Sequence, residues 1–140
     1  HDLATKDKKE IIGLDKIQTQ LALFDFEVPF KMQVKIIEKA VSEMAMKAKS
    51  EEPLFQAYFA NDMTKFEQEF LKPFDFENPQ MKKMYDRVFT DRNTKWVEKL
   101  EELSNENSCT YFVLVGAGHY FGPNNIKVLL ENKGYKVEKI

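Results

Sequence analysis

The sequence predicts an α/β fold that is rich in helix and contains a small, mostly parallel sheet. An uninterrupted apolar run at 111–115 leads into a glycine turn, which is typical of a buried strand. A helical pattern and a short alternating segment follow within 25 residues, as in a right-handed parallel crossover. We therefore expect strands near 11–14, 110–115 and 135–139, separated by a long helical middle.

The helices of this middle are predicted from apolar spacing and from capping residues. Residues 31–49 carry apolar side chains at helical intervals, and residues 81–103 do so with an interruption at 91–94. Pro53 suits the first turn of a helix that ends near residue 60, and Asn61-Asp-Met-Thr64 suits the cap of a short helix that ends near residue 71. Pro123 and Gly134 suit the start and the left-handed end of a last helix over 123–133.

Length and composition limit the classes of function. A chain of 140 residues fits a single domain, 1–140. The 21 basic and 23 acidic residues leave a net charge of −2, which provides no electrostatic surface for nucleic acid. The single cysteine, Cys109, excludes an intrachain disulfide and a CxxC metal site. No apolar run approaches 18 residues, so no membrane span is expected.

His119 is the first candidate for chemistry. It follows the glycine turn at the end of the predicted central strand, and ligands of open α/β sheets bind at that edge. A neutral imidazole there serves as a metal ligand or a general base. The alternative is a loop histidine that caps a helix or binds a carbonyl group. One histidine does not make a catalytic zinc site, which needs about three protein ligands.

The three glycines around this histidine also permit a nucleotide-binding βαβ unit. Gly116, Gly118 and Gly122 follow the predicted strand, and Glu138 ends the next one, where such a unit binds ribose. However, the spacing is G-x-G-x-x-x-G, one residue longer than the fingerprint. Pro123 also removes an N–H group that would hold phosphate. This interpretation is the weaker one.

Four further polar residues are candidates for the same sheet edge. Arg92 and Asn93 lie at the predicted helix interruption, where they suit a fork that holds a carboxylate or phosphate. Asp15 and Gln18 follow the first predicted strand. For Arg92 and Asn93 the alternative is a helix cap with a surface ion pair, and for Asp15 and Gln18 it is a helix N-cap with a solvated face.

Three segments together resemble the TraB/GumN family, which includes Tiki- and PrgY-like proteins. They are Arg92-Asn-Thr-Lys-Trp96, Val115-Gly-Ala-Gly-His-Tyr-Phe-Gly122 and Leu129-Leu-Glu-Asn-Lys-Gly-Tyr-Lys-Val137. The match is to the C-terminal portion of the family's domain. Upstream, Ile12-Gly-Leu-Asp-Lys-Ile-Gln-Thr-Gln20 resembles a Gly-Leu-Glu-Thr-x-x-x-Gln segment, with Asp15 in place of the usual glutamate.

The resemblance implies a metal-dependent protease or hydrolase that acts on a peptide or protein. By the family pattern His119 is catalytic or binds a divalent metal, Arg92 and Asn93 line the site, and Gly116, Gly118, Asp15 and Gln18 lie where substrate binds. The family has two Gly-x-x-His motifs, and only the second is present in these residues. We therefore expect the isolated chain to be inactive.

Two alternatives and two further expectations accompany this interpretation. A family member that binds a peptide or partner without catalysis is the alternative function, and the nucleotide-binding unit is the third. Homo-oligomers through an open sheet edge are expected from the predicted strands. Export to the periplasm or cell surface is implied by the resemblance to bacterial GumN-like proteins.

Overall fold

The described part of the chain is helical. A computed structural model describes residues 2–23, 34, 37, 38, 41, 52–106 and 109–138. Its helices are α1 (Asp2–Lys6), α2 (Ile17–Ala22), α3 (Glu52–Phe59), α4 (Met63–Leu71), α5 (Pro79–Tyr85), a π-helical turn (Asp86–Thr90), α6 (Asp91–Glu106), a 3-10 turn (Ala117–Tyr120) and α7 (Ile126–Asn132).

The predicted α/β fold with a parallel sheet is wrong for these residues. The segments 11–13, 109–116 and 135–138 contain no strand. A strand exists through backbone hydrogen bonds with a neighbouring strand, and none of these segments pairs with another in the part of the chain that the structure describes. The nucleotide-binding βαβ interpretation fails with the sheet, because it requires a strand before the glycines.

The apolar run at 111–115 is not buried as predicted. Phe112 and Leu114 are 91% and 82% exposed. Val115 packs against the cluster that Trp96, Val97 and Ile126 form. The run therefore places one face on the helical core and leaves the other in solvent. The predicted oligomers have no sheet edge among the described residues, and association of the chain stays a prediction.

Side-chain caps set the starts of the helices. Asp62 accepts a hydrogen bond from the Lys65 N–H at 3.0 Å, which confirms the predicted start of α4. Asn125 accepts one from the Val128 N–H at 3.0 Å. The last helix therefore begins at Ile126, and Pro123 lies outside it.

The two remaining helix predictions have different outcomes. Gly134 has a φ of +88°, which confirms a left-handed residue after α7. Of the helix predicted at 31–49, residues 34, 37, 38 and 41 are helical, and its other positions lie outside the described residues. None of the described helices is long and apolar enough to cross a membrane.

An irregular turn joins α5 to α6. The predicted interruption at 91–94 is instead a π-helical turn, Asp86–Thr90, and regular helix resumes at Asp91. The hydroxyl of Thr94 donates to the Thr90 carbonyl oxygen at 2.9 Å. Such π turns are frequent beside functional sites, because they re-aim the side chains of one helix turn.

Two apolar clusters flank the turn that carries His119. The first is formed by Trp96, Val97 and Ile126. The second is aromatic and joins α4 to the π-helical turn. Its rings are Phe70, Phe74, Tyr85 and Phe89. The first cluster anchors α7 to α6, so the glycine-rich connection between them lies over the core.

Candidate functional site

His119 lies in the 3-10 turn Ala117–Tyr120 and is 7% exposed. The imidazole packs against two aromatic rings of the helical segment that runs from α5 through the π-helical turn to α6, the α5–α6 unit. The centroid of the Trp96 ring is 4.4 Å away, and that of Phe89 is 5.1 Å away. The lone histidine of the glycine turn is thus a buried residue.

Gly118 permits this close packing. A Cβ atom on Gly118 would lie 2.7 Å from the Phe70 ring and 3.2 Å from the Phe89 ring. Both rings are held in the aromatic cluster, so a side chain at this position would push the turn outward. The glycine next to His119 therefore has a packing role.

Asn93 fixes the tautomer of His119. The side chain of Asn93 is fully buried, and its Nδ2 donates to the Asn124 carbonyl oxygen at 3.0 Å. The amide oxygen of Asn93 then faces Nδ1 of His119 at 2.7 Å. Since an amide oxygen only accepts, Nδ1 carries the proton and Nε2 carries the lone pair.

The surroundings also keep His119 neutral. The pKa of His119 is lowered to about 4, mainly by burial and also by the Arg92 guanidinium, while Asp15 partly opposes both. The ring is therefore uncharged near pH 7. A neutral imidazole with a lone pair on Nε2 is able to accept a proton or to bind a metal ion.

Asp15 and Arg92 form an ion pair that is almost buried. The side chains are 10% and 12% exposed, and both Nε and Nη2 of Arg92 lie 2.9 Å from Oδ2 of Asp15. Nη1 of Arg92 donates to the Val88 carbonyl oxygen at 3.1 Å. All three nitrogens of the guanidinium group therefore contact oxygen atoms of the protein.

Two more donors complete the shell of Asp15. The indole N–H of Trp96 donates to Oδ1 at 2.7 Å, and the Gln20 amide donates to Oδ2 at 2.6 Å. Both carboxylate oxygens therefore have partners. Asp15 is separated from Arg92 by 77 residues, so the pair fastens the N-terminal segment to α6.

The spacing of one helical face brings the site together. Phe89, Arg92, Asn93 and Trp96 stand at positions i, i+3, i+4 and i+7 of the α5–α6 unit. The guanidinium carbon of Arg92 lies 4.6 Å from the centre of the Trp96 ring. One face of the helix thus supplies a cation, an amide and two aromatic rings.

The structure brings together four of the seven predicted site residues: His119, Asn93, Arg92 and Asp15. Gly116 lies beside them and is exposed, and a Cβ atom there would meet only Cδ2 of His119 at 3.9 Å. The space beside Gly118 is occupied by aromatic rings. Gln18 is exposed on α2, and Gln20 contacts Asp15 instead.

The sequence interpretation missed Trp96 and Phe89 as neighbours of the site. Trp96 and Phe89 were assigned to an apolar helical face. Phe89 lies four residues before Asn93 and Trp96 three residues after it, and this spacing was the signal that places them on the same side of the helix. Gln20 follows the first predicted strand, as Asp15 and Gln18 do, and of the two glutamines it is the one that contacts Asp15.

The described residues do not by themselves fit a divalent metal ion. They contain no group of three His, Cys, Asp or Glu side chains that would hold one. Asp15, the carboxylate nearest in the network, has both oxygens occupied and a cation beside it. His119 is one nitrogen ligand, where a catalytic metal takes about three from the protein.

In the described residues, fold and site together define a helical protein with a buried, neutral histidine that is held by an amide and two aromatic rings. A family model for the TraB/PrgY/gumN family matches residues 1–139, and the chain belongs to that family. Comparison with curated proteins and with solved structures gave no match.

Proposed function

We propose that this chain carries part of the hydrolytic site of a protease or related hydrolase, and that His119 supplies the imidazole that acts there as a base or a metal ligand. The observation that supports this most directly is the hydrogen bond between Asn93 and Nδ1 of His119. It presents Nε2 as a base, and the chemistry of peptide hydrolysis needs a base or a metal ligand to activate water.

The surroundings of the imidazole suit this role. A pKa of about 4 leaves Nε2 unprotonated at neutral pH, which suits a metal ligand better than a general base, whose pKa is best near the working pH. No buried side-chain nitrogen or oxygen among the described residues lacks a hydrogen-bond partner. Nε2 of His119 has no hydrogen-bond partner among the described residues, so it is not fully enclosed, and water or a ligand is able to approach it.

The other predicted residues receive different roles. Arg92 and Asp15 are occupied by one another, so we assign them to holding the site rather than to contacting substrate. Asn93 orients the imidazole. Gly116 leaves open space beside His119, which suits the approach of a peptide backbone.

A divalent metal is part of the proposal, with His119 as one ligand. Such an ion would lower the pKa of a bound water molecule toward neutrality. Since the described residues supply a single ligand, no step of the reaction is assigned to it. Measurement of metal content decides this part of the proposal.

The test compares His119→Gln with the unchanged protein, made from the complete open reading frame. We expect hydrolysis of a casein-derived peptide library to fall at least about 100-fold, as when a general base is removed. Bound metal, measured by elemental analysis, should fall as well. His1→Ala is the matched control, because His1 is the only other histidine of this sequence. Unchanged hydrolysis and metal content in His119→Gln would overturn the proposal.

A second candidate function is binding of an apolar peptide without catalysis. The exposed side chains of Phe112 and Leu114, which lead along the chain to Gly116, favour it. The double variant Phe112→Ser/Leu114→Ser should then lose binding of apolar peptides, measured by fluorescence anisotropy, while His119→Gln retains it. Loss of binding in His119→Gln alone would favour the hydrolase.

A further inference from the structure

We propose that Trp96 is a positioning residue that fixes the plane of the His119 imidazole, and that Asp15 in turn fixes Trp96. This inference rests on the proposed function only for its consequence in catalysis. The geometric part stands on the contacts of the indole ring.

Trp96 is held at its edge and at its face. Its N–H donates to Oδ1 of Asp15 at 2.7 Å, and the guanidinium carbon of Arg92 lies 4.6 Å from its ring centre. The ring is 5% exposed. A buried indole N–H needs a hydrogen-bond partner, and here that partner is the carboxylate that also pairs with Arg92, so the position of the indole depends on Asp15.

The imidazole needs packing contacts such as the one with Trp96, because one hydrogen bond does not fix the orientation of a ring. The bond from Nδ1 of His119 to Asn93 is a single contact, and rotation of the ring about its Cβ–Cγ bond would break it. Trp96 and Phe89 limit that rotation, with their centroids 4.4 and 5.1 Å from the imidazole centroid. Together the three contacts determine the direction of the Nε2 lone pair.

The two aromatic neighbours of the imidazole, Phe89 and Trp96, are held in different ways. Phe89 packs within the aromatic cluster, against Phe70 at 5.4 Å and Tyr85 at 5.0 Å. Trp96 is instead attached through Asp15 to the N-terminal segment. Binding of this segment to α6 is therefore coupled to the orientation of the imidazole.

The experiment records the ring nitrogens of His119 by two-bond nitrogen–proton NMR. The chain has two histidines, His1 and His119, so His1→Ala assigns the spectrum. In the unchanged protein we expect one tautomer, protonated at Nδ1. In Trp96→Leu we expect both tautomers or exchange broadening, because the ring then turns and its Nδ1–Asn93 hydrogen bond, which selects the tautomer, is broken part of the time. Trp96→Phe keeps a flat ring without the N–H, and both it and Asp15→Asn should give an intermediate spectrum.

Val97→Ala is the matched control, because Val97 belongs to the same apolar cluster as Trp96. It lowers stability without removing a contact to the imidazole, so its His119 spectrum should be unchanged. A single Nδ1–H tautomer in Trp96→Phe, Trp96→Leu and Asp15→Asn would overturn the proposal, as would equal broadening in Val97→Ala. Should Trp96→Leu not fold, Trp96→Phe and Asp15→Asn still decide the outcome.

Activity separates this inference from the proposed function. If the complete protein hydrolyses peptides, Trp96→Phe should lower kcat about tenfold and change KM less than twofold, since a misplaced base reacts slowly while substrate still binds. If His119→Gln proves fully active, the proposed function fails, and the NMR spectra still show whether Trp96 orients the ring.

Discussion

Asn93 and His119 lie on different elements, α6 and the 3-10 turn, and share a hydrogen bond of 2.7 Å in the protein interior. The amide group of Asn93 also donates to the Asn124 carbonyl oxygen, which follows the turn. One side chain thus ties both ends of the glycine-rich connection to the helix and decides which nitrogen of the imidazole is protonated.

Asn93→Ala should destabilise the protein by about 2–4 kcal/mol, because it leaves Nδ1 of His119 and a carbonyl oxygen without their partner. Urea unfolding followed by circular dichroism measures this. Thr94→Ala, one residue along, serves as the control, since its hydroxyl is on an exposed surface and should cost less than about 1 kcal/mol. Equal losses in the two variants would contradict the central position of Asn93.

Stability should fall as the pH is lowered from about 6.5 to about 4. The folded protein holds the pKa of His119 near 4, whereas an unfolded histidine titrates at its ordinary value of 6.5. Between these values the unfolded chain binds a proton that the folded protein does not, so protonation favours unfolding. Above 6.5 both states are neutral, and the full contribution, up to about 3 kcal/mol, is present.

His119→Gln isolates this contribution, because glutamine does not titrate while the carboxylates of both proteins do. The free energy of unfolding in metal-free buffer should decrease more steeply in the unchanged protein than in the variant over this pH range. Parallel pH profiles for the two proteins would show that His119 is not buried as a neutral group.

The Asp15–Arg92 pair should show strong coupling in a double-mutant cycle. Removal of either partner leaves the other charge buried, so Asp15→Asn or Arg92→Gln alone should each cost about 3 kcal/mol. The double variant should cost clearly less than the sum of the single variants. The exposed pair Lys127–Glu131, at 3.7 Å, is the control and should couple by less than about 0.5 kcal/mol. Additive effects of Asp15 and Arg92 would contradict the pairing.

Gly122→Ala should be more destabilising than Gly134→Ala. Both glycines have positive φ, +77° and +88°, so each substitution costs about 1 kcal/mol in backbone conformation. At Gly122 the new Cβ atom would also lie 2.3 Å from the Tyr85 hydroxyl, whereas nothing lies within 4 Å at Gly134. Thermal unfolding should separate them by more than about 1 kcal/mol.

The Tyr85 hydroxyl provides a second arm of that experiment. Tyr85→Phe removes the atom that the Cβ of Gly122→Ala would meet, together with its hydrogen bond of 3.3 Å to the Phe121 carbonyl oxygen. The two changes combined should therefore cost less than the sum of both. Strict additivity would show that the destabilisation by Gly122→Ala does not come from contact with the Tyr85 hydroxyl.

Leu114→Ser should leave stability within about 0.5 kcal/mol of the unchanged protein, because Leu114 lies mostly in solvent. Val115→Ala, at the next position, removes methyl groups that pack against the Trp96 cluster and should cost about 1 kcal/mol. Urea unfolding compares the two. A larger loss for Leu114→Ser would mean that this segment is covered in solution.

The sequence by itself determined the local features and the family. The cap within residues 61–64 and the left-handed Gly134 follow from rules that act within a few residues. The segments around Arg92 and His119 were sufficient to indicate the TraB/GumN family, which the match over residues 1–139 confirms.

Tertiary structure alone decided what the candidate residues do. An apolar run becomes a strand only where another strand pairs with it, and the described residues provide none beside 111–115. The sequence predicts that Arg92 holds a ligand, whereas in the structure its partner is Asp15, 77 residues away. The neutral state of His119 likewise depends on burial and on Asn93, 26 residues away. Contacts between distant parts of the chain leave no periodic pattern in the sequence, so only the folded protein reveals them.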